Sequence, residues 1–168
     1  NGHFITEYAL KNNESYLFGI ETKKKRCLKI FKKVKRLNLN NVLIYQGYAE
    51  KALNLFPPSS IEKIHIYFPD PWPKTKHRRR RFLKNQNLNI LNQLLKLNGH
   101  IFFATDVFDY YFQVKLLLIL HPCFEIAKES PPEELYTSVF SKKFHEGGLN
   151  TYFISAEKIM SECNGTNK

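Results

Sequence analysis

The strongest constraint on the fold is a proline-rich segment that follows an apolar run. Residues 64–68 read Ile-His-Ile-Tyr-Phe, a pattern typical of a buried strand. Residues 69–73, which come next, read Pro-Asp-Pro-Trp-Pro. Because proline fixes its own φ and disfavours the helical region for the residue before it, this backbone is stiff and non-helical. The sequence therefore predicts an acid, Asp70, held rigidly at the end of a strand.

A dense cluster of cations comes directly after this segment. Lys74, Lys76 and the run from Arg78 to Arg81 place six positive charges within residues 74–81, over half of the chain's net charge of +11. Clustered positive charge favours a nucleic acid as partner. A generally basic protein and a solvated helix start are the plainer alternatives. However, cations at a helix N-terminus oppose its dipole, and phosphate is the natural group to offset them.

The rest of the chain alternates between strand-like and helical patterns, which predicts an α/β protein with a mostly parallel sheet. The predicted helices cover residues 4–11, 23–37, 49–56, 81–97 and 107–120, and the predicted strands cover residues 16–21, 42–45, 61–68, 101–105 and 151–156. We expect Asn98-Gly99 to end the fourth helix, residues 129–134 to form a loop, and the last strand to be antiparallel. At 168 residues the chain is one domain, residues 1–160, with a polar tail at 161–168.

Several classes of protein are disfavoured. Three widely spaced cysteines, Cys27, Cys123 and Cys163, predict reduced thiols and a cytoplasmic protein. No stretch approaches the roughly 18 apolar residues of a membrane span, so we expect no membrane partner. The six histidines are scattered, so we expect no metal site. Motifs for a serine or cysteine nucleophile, or for a phosphate-binding loop, are absent from the sequence.

Three acids stand at the carboxyl ends of predicted strands: Glu21, Asp70 and Asp106. In an open α/β sheet ligands bind outside these ends, and an acid on an early strand can accept hydrogen bonds from ribose hydroxyls. The alternatives are that Glu21 stabilises a helix start, that Asp70 is a turn residue and that Asp106 caps a helix. Trp72 could either pack internally or stack on a base.

These residues together resemble a known family. Residues 68–74, with Lys76, His77 and the arginine run, resemble the hallmark of the bacterial tRNA (guanine-N7-)-methyltransferases. Residues 18–21, Phe-Gly-Ile-Glu, resemble the second-strand acid of that family, and residues 104–106, Ala-Thr-Asp, its fifth-strand motif. The resemblance extends from residue 1 to about residue 154. It implies a class I, Rossmann-like methyltransferase fold with helices on both faces of the sheet and a late antiparallel strand.

The resemblance also implies an activity and a role for individual residues. The activity is methyl transfer from S-adenosylmethionine to N7 of a guanosine at position 46, in the variable loop of tRNA. Asp70 is the implied catalytic acid. The implied cofactor contacts are Gly2, Glu21, Tyr48 and Asp70. The implied substrate contacts are Lys74, Asp106, Thr137, Ser138 and Ser141. The implied RNA contacts are Lys76, His77, Arg78, Arg79, Arg80 and Arg81.

The chain departs from the family pattern at three places. Residues 1–4, Asn-Gly-His-Phe, resemble only the last part of the glycine loop, so we expect the domain to be N-terminally incomplete and to lack the family's first strand. Tyr48 stands where the family has an Asp that contacts adenine. Ser141 replaces the Glu of a C-terminal motif. Two alternatives therefore stay open: a non-catalytic RNA-binding module, and a related amino-methyltransferase with another substrate. The expected partner is tRNA. The protein is expected to be a monomer or a homodimer.

Overall fold

A computed structural model of the chain describes residues 2–136 and 150–160. The secondary structure alternates helices and strands along the sequence. The helices are α1 (His3–Lys11), α2 (Lys24–Arg36), α3 (Ala49–Ala52), α4 (Asn85–Leu94), α5 (Phe108–Leu120) and α6 (Glu133–Tyr136). The strands are β1 (Leu17–Glu21), β2 (Val42–Gln46), β3 (Ile61–Tyr67), β4 (Leu95–Thr105), β5 (Phe124–Ala127) and β6 (Tyr152–Lys158). Two 3-10 turns, Leu53–Leu55 and Thr75–Arg80, complete the list.

The described residues form two compact units. Residues 2–55 and 132–136 belong to the first, and residues 56–131 and 150–160 to the second. In the first unit β1 and β2 pair in parallel, from Leu17 opposite Val42 to Glu21 opposite Gln46.

Helices surround this pair of strands. α2 buries one apolar stripe, Cys27, Ile30 and Val34, at the spacing of a helix face. α6 contacts α1, where Lys11 lies 3.0 Å from a carboxylate oxygen of both Glu133 and Glu134.

The second unit has a four-stranded sheet in the order β3-β4-β6-β5. β3 and β4 are parallel, and β6 runs antiparallel to both β4 and β5. Residues 101–105 of β4 are all buried, so both faces of this strand are covered. The core of the unit also contains Leu88 and Leu91 of α4, and Tyr110, Val114 and Leu118 of α5.

The predicted α/β class and most elements are confirmed, including the late antiparallel strand. The strands of the described residues form two separate sheets, however, where one was expected. β5 was not predicted, and α6 begins inside the segment that was expected to be a loop. Cys27 is a free buried thiol, as expected, but Cys123 is disulfide-bonded, so the prediction of a reduced thiol is wrong there.

The largest error concerns the helix predicted over residues 81–97. α4 starts only at Asn85 and ends at Leu94, after which the chain enters β4. The ammonium group of Lys158 on β6 donates to the carbonyl oxygens of Asn92 (2.7 Å) and Leu95 (2.9 Å). The N–H groups of Ser59 and Ser60 donate to the carbonyls of Gln93 and Leu94 (both 2.9 Å), so the carbonyls at the end of α4 are satisfied from outside the helix.

Asn98-Gly99 is therefore not a helix stop. These two residues lie in β4, where Asn98 has a φ of 61° and the pairing register with β3 shifts between Ile61 and Lys63. A Cβ atom on Gly99 would come within 2.8 Å of the Lys96 carbonyl oxygen. The pair thus forms an irregularity in the strand that suits a glycine.

None of the helices in the described ranges is both long and apolar enough to cross a membrane.

Candidate functional site

Asp70 lies in a strained loop, residues 68–74, which we call the proline loop. The N–H of Phe68 donates to the carbonyl of Ala104 (2.8 Å), so the loop leaves the sheet immediately after its last bond to β4. Phe68 and Trp72 have φ values of 49° and 43°, in the left-handed region. Such conformations cost a non-glycine residue about 1–3 kcal/mol and persist only where the surroundings enforce them. Between them, Asp70 is exposed to solvent.

Arg81 is the residue that anchors this loop. Its Nε donates to the carbonyl of Pro71 (2.8 Å), and its two Nη atoms donate to Gln113 Oε1 and Asp109 Oδ2, both at 2.7 Å. The guanidinium also lies 4.7 Å from the ring centroid of Tyr110. The Arg81 side chain is completely buried. The prediction that Arg81 contacts RNA is therefore wrong, because its donors are committed to tying the proline loop to α5.

Tyr110 contacts both the Arg81 guanidinium and the backbone that follows Arg81. Burial raises the pKa of Tyr110 to about 12, so its hydroxyl stays protonated. The Tyr110 oxygen accepts a hydrogen bond from the N–H of Leu83 (3.0 Å), two residues after Arg81.

The other cations of the run are exposed, and one of them, Arg80, lies against Trp72. The guanidinium of Arg80 lies 5.0 Å from the centroid of the Trp72 ring, and the ring of His77 meets Trp72 edge-on at 5.9 Å. Arg78 makes an ion pair with Asp109 (3.1 Å) on the surface. The exposed members are Lys74, Lys76, Arg78, Arg79 and Arg80.

The arginine run does not start a helix, so the helix-dipole argument for a phosphate partner does not apply. Arg78 to Arg80 lie at the end of the 3-10 turn Thr75–Arg80, and α4 begins only at Asn85. The expected conflict between four cations and a helix dipole is therefore wrong. Exposure of these side chains, and not relief of a dipole, is what makes them available to phosphate.

Asp106 and Asp70 follow the carboxyl ends of neighbouring strands, at the same edge of the sheet. β3 and β4 pair in parallel with Tyr67 opposite Ala104, and the two acids follow these neighbouring strand ends. Asp106 is exposed, and no side chain caps the start of α5. The Thr105 hydroxyl instead accepts the N–H of Val107 (3.2 Å). The alternative that Asp106 is a helix cap is therefore wrong.

In the first unit, Glu21 and Tyr48 follow the ends of the parallel strands β1 and β2. Glu21 Oε1 accepts the N–H of Lys23 (2.9 Å), and Glu21 Oε2 lies 3.6 Å from Arg26, so this carboxylate also stabilises the start of α2. The Glu21 side chain keeps 18% of its surface exposed. Tyr48, just before α3, is 67% exposed.

Gly2 begins α1 in a conformation that only glycine adopts readily. Its φ is 72°, and a Cβ atom would lie 2.7 Å from Ile30 Cγ1. Its carbonyl accepts both the N–H (3.2 Å) and the hydroxyl (2.9 Å) of Thr6.

The remaining sequence predictions concern residues elsewhere. Thr137, Ser138 and Ser141 lie outside the described residues. Burial, and secondarily the charge of Glu21, raise the pKa of Cys27, and burial lowers the pKa of His65 to about 4. Neither group is thus poised as a nucleophile or a base at neutral pH. Across residues 2–136 and 150–160, no three His, Cys, Asp or Glu side chains are grouped to hold a metal ion.

Sequence reasoning missed the partners of Arg81. Asp109 and Gln113 stand one turn apart on α5, but nothing in the local pattern of that helix distinguishes them from solvated polar residues. Only the packing of α5 against the proline loop reveals their role.

The fold is that of a Rossmann-like class I methyltransferase domain. Among solved structures, an rRNA methylase from Streptococcus thermophilus superposes with a TM-score of 0.58 at 10% identity, over 86% of this chain and 74% of that one.

Sequence comparison narrows this class. A family model described as "Putative methyltransferase" matches residues 1–152. A tRNA (guanine-N(7)-)-methyltransferase from Chlorobium phaeobacteroides is 32% identical over 91% of this chain and 74% of its own length. A protein of the same name from Thermotoga maritima is 32% identical over the whole chain, which spans 53% of that relative. The chain belongs to the tRNA (guanine-N7-)-methyltransferase family. It spans about half of the Thermotoga relative, and 28% of a "Bifunctional methyltransferase" from Rickettsia typhi.

Proposed function

We propose that this chain forms a domain that transfers a methyl group from S-adenosylmethionine to N7 of a guanosine in tRNA. The observation that carries the proposal is Asp70, an exposed carboxylate on a strained loop that Arg81 fixes to α5. The same segment presents five exposed cations, so one rigid element offers both an acid and a phosphate-binding surface. Membership of the family supports the substrate class.

The first unit has groups that suit S-adenosylmethionine. The partly exposed carboxylate of Glu21 can accept hydrogen bonds from ribose hydroxyls, and the exposed ring of Tyr48 can stack on adenine. Gly2 lets the backbone turn tightly at the start of α1. When bound, the cofactor supplies a methyl group on a positively charged sulfur.

The remaining task of the chain is to orient the base and to stabilise charge. Guanine N7 is a free acceptor with a lone pair, so no proton has to be removed before methylation. Methylation leaves positive charge on the purine. The carboxylates of Asp70 and Asp106 are suited to stabilise that charge if the base lies beside them.

The proline loop and the cations after it are suited to hold the RNA. A base must leave its stack to reach a pocket, which costs a few kcal/mol in base-flipping enzymes. Phosphate contacts from Lys74, Lys76 and the exposed arginines can offset that cost. The variable-loop guanosine, the cytoplasmic location and a monomeric or homodimeric state remain predictions.

The test is methyl transfer from tritiated S-adenosylmethionine to unmodified tRNA, with Asp70→Asn as the variant. We expect the rate at saturating tRNA to fall by about 100-fold or more, because a preorganised charge is removed from the reacting base. We expect the Kd for tRNA to stay within about twofold, since Asp70 holds no phosphate. Glu125→Gln, which removes an exposed carboxylate from β5, is the matched control and should keep the parent rate.

Three results would contradict the proposal. The first is tRNA binding by the parent chain without transfer of label, which would favour a non-catalytic RNA-binding module. The second is label in a different substrate but not in tRNA. The third is an equal loss of binding and transfer in Asp70→Asn, which would show that Asp70 acts in RNA binding. If the parent chain transfers label to tRNA, cleavage of that tRNA at 7-methylguanosine maps the modified position.

A further inference from the structure

α2 carries a second concentration of positive charge, apart from the run after the proline loop. Residues 23–36 contain nine lysines and arginines and no acid. Leu28 and Phe31 are the large apolar side chains that this segment leaves exposed.

Four of these cations form a row along one side of the helix. Lys25, Lys29, Lys32 and Arg36 are spaced by four, three and four residues and are all exposed. Cys27, Ile30 and Val34 are buried on the opposite side. At 1.5 Å per residue the row extends over about 16 Å. We call these four residues the α2 cationic row.

The fold itself gives no reason for this row. The ion pairs of α2 involve Arg26, with Glu21 at 3.6 Å, and Lys33, with Glu7 at 3.4 Å. Within the part of the chain that the structure describes, the four residues of the row contact no carboxylate. Like charges one helical turn apart destabilise a helix by about 0.2–0.5 kcal/mol per pair. The row therefore weakens the isolated helix, and a multivalent anion would relieve that repulsion.

We infer that the α2 cationic row binds phosphates of tRNA, as a contact additional to the cations that follow the proline loop. This inference rests on the proposed function, which makes tRNA the partner. Regularly spaced cations over about 16 Å suit a polymer with repeated negative charges better than a single small anion.

An anionic membrane surface is the other partner that a basic amphipathic helix can fit. The apolar stripe that would enter the lipid, Cys27, Ile30 and Val34, is already buried within the first unit. Only Leu28 and Phe31 remain, which is a narrow apolar surface for insertion. RNA is therefore the better match.

The test compares two triple variants of the full chain with equal loss of charge. Lys25→Gln/Lys29→Gln/Lys32→Gln removes most of the row and keeps good helix formers. Lys63→Gln/Lys115→Gln/Lys128→Gln removes three lysines from the second unit. The measurement is tRNA affinity over a series of KCl concentrations. A parallel titration uses phosphatidylcholine vesicles that contain phosphatidylserine.

We expect the row variant to bind tRNA about tenfold more weakly or worse at low salt. The slope of log K against log salt should shrink by about two to three, since that many fewer counterions are released. The KM for tRNA should rise while kcat at saturating tRNA is kept. The thermal midpoint should be unchanged or higher, because like-charge repulsion is removed. The control variant should keep the parent affinity within about twofold.

An unchanged affinity and salt slope in the row variant would overturn the inference, and continued methylation of tRNA would show that the proposed function survives it. Loss of vesicle binding without loss of tRNA binding would assign the row to membranes instead. If the parent transfers no methyl group but its tRNA binding depends on the row, the inference stands and the catalytic proposal fails.

Discussion

Arg80 and Arg81 show that two adjacent arginines can have opposite roles. Arg80 is exposed and stacks on Trp72, whereas Arg81 is buried with three hydrogen-bond partners and the ring of Tyr110. The sequence predicted the cluster of cations, and five of its members are exposed. It could not separate these two residues, because burial depends on α5, which lies almost thirty residues further along the chain.

The substitution Arg81→Met should destabilise the protein. The carbonyl of Pro71 and the side chain of Gln113 lose a buried donor, but Asp109 keeps its pair with Arg78. We therefore expect a loss of about 2–3 kcal/mol in the free energy of unfolding, which is less than for a broken ion pair with both partners buried.

Urea denaturation measures this loss, with Arg79→Met as the control at an exposed position of the same run. The control should stay within about 0.5 kcal/mol of the parent. Equal stability of the Arg81 and Arg79 variants would show that the buried guanidinium does not anchor the loop.

Among the elements, the boundary between α4 and β4 shows where local patterns fail. Leu88, Leu91 and Leu95 have helical spacing, yet Leu95 is the first residue of the strand. A buried leucine fits either element, so periodicity does not mark the transition. The groups that satisfy the end of α4 are distant in sequence: Lys158 comes from β6, more than sixty residues later, and Ser59 and Ser60 come from before β3. By contrast, α2 was predicted nearly to the residue, because its buried stripe of Cys27, Ile30 and Val34 is a local pattern.

Lys158→Met should weaken this junction. The carbonyls of Asn92 and Leu95 would lose their donor in a buried environment, at a cost of about 1–3 kcal/mol. Thermal or urea unfolding measures the change, with Lys128→Met as an exposed control. Burial lowers the pKa of Lys158, which reflects a desolvation cost that methionine would not have. A gain in stability would therefore show that this cost exceeds the value of the two hydrogen bonds.

For the whole molecule, the net charge of +11 conceals an uneven distribution. Residues 23–36 and 74–81 together hold fifteen of the 26 cations and none of the acids. The rest of the chain contains eleven cations and fifteen acids, so it is slightly acidic. The plainer interpretation of the composition, a generally basic protein, is therefore wrong, because the excess of positive charge lies in these two segments. Of the two segments, only residues 74–81 were singled out from the sequence, because there the cations form a dense run, whereas in residues 23–36 they alternate with the apolar positions of an amphipathic helix.

If both segments bind tRNA, their contributions to the salt dependence should add. Arg79→Gln/Arg80→Gln should lower the slope of log K against log salt by about two, and the combination with the row variant by about four to five. The slope counts released counterions, so this sum does not depend on how the segments are arranged. Filter binding over a KCl series measures it. If the combined variant lowers the slope no further than one of the two variants does alone, only one segment contacts the RNA.

The left-handed backbone at Phe68 and Trp72 has a consequence for ligand affinity. The unfavourable torsions are adopted when the protein folds, and contacts such as that between Arg81 and Pro71 hold them in place. A loop that already has its ligand-binding conformation loses little further conformational entropy when a ligand binds. Under the proposed function, more of the binding energy is then available to unstack the target base, because little of it is used to order the loop.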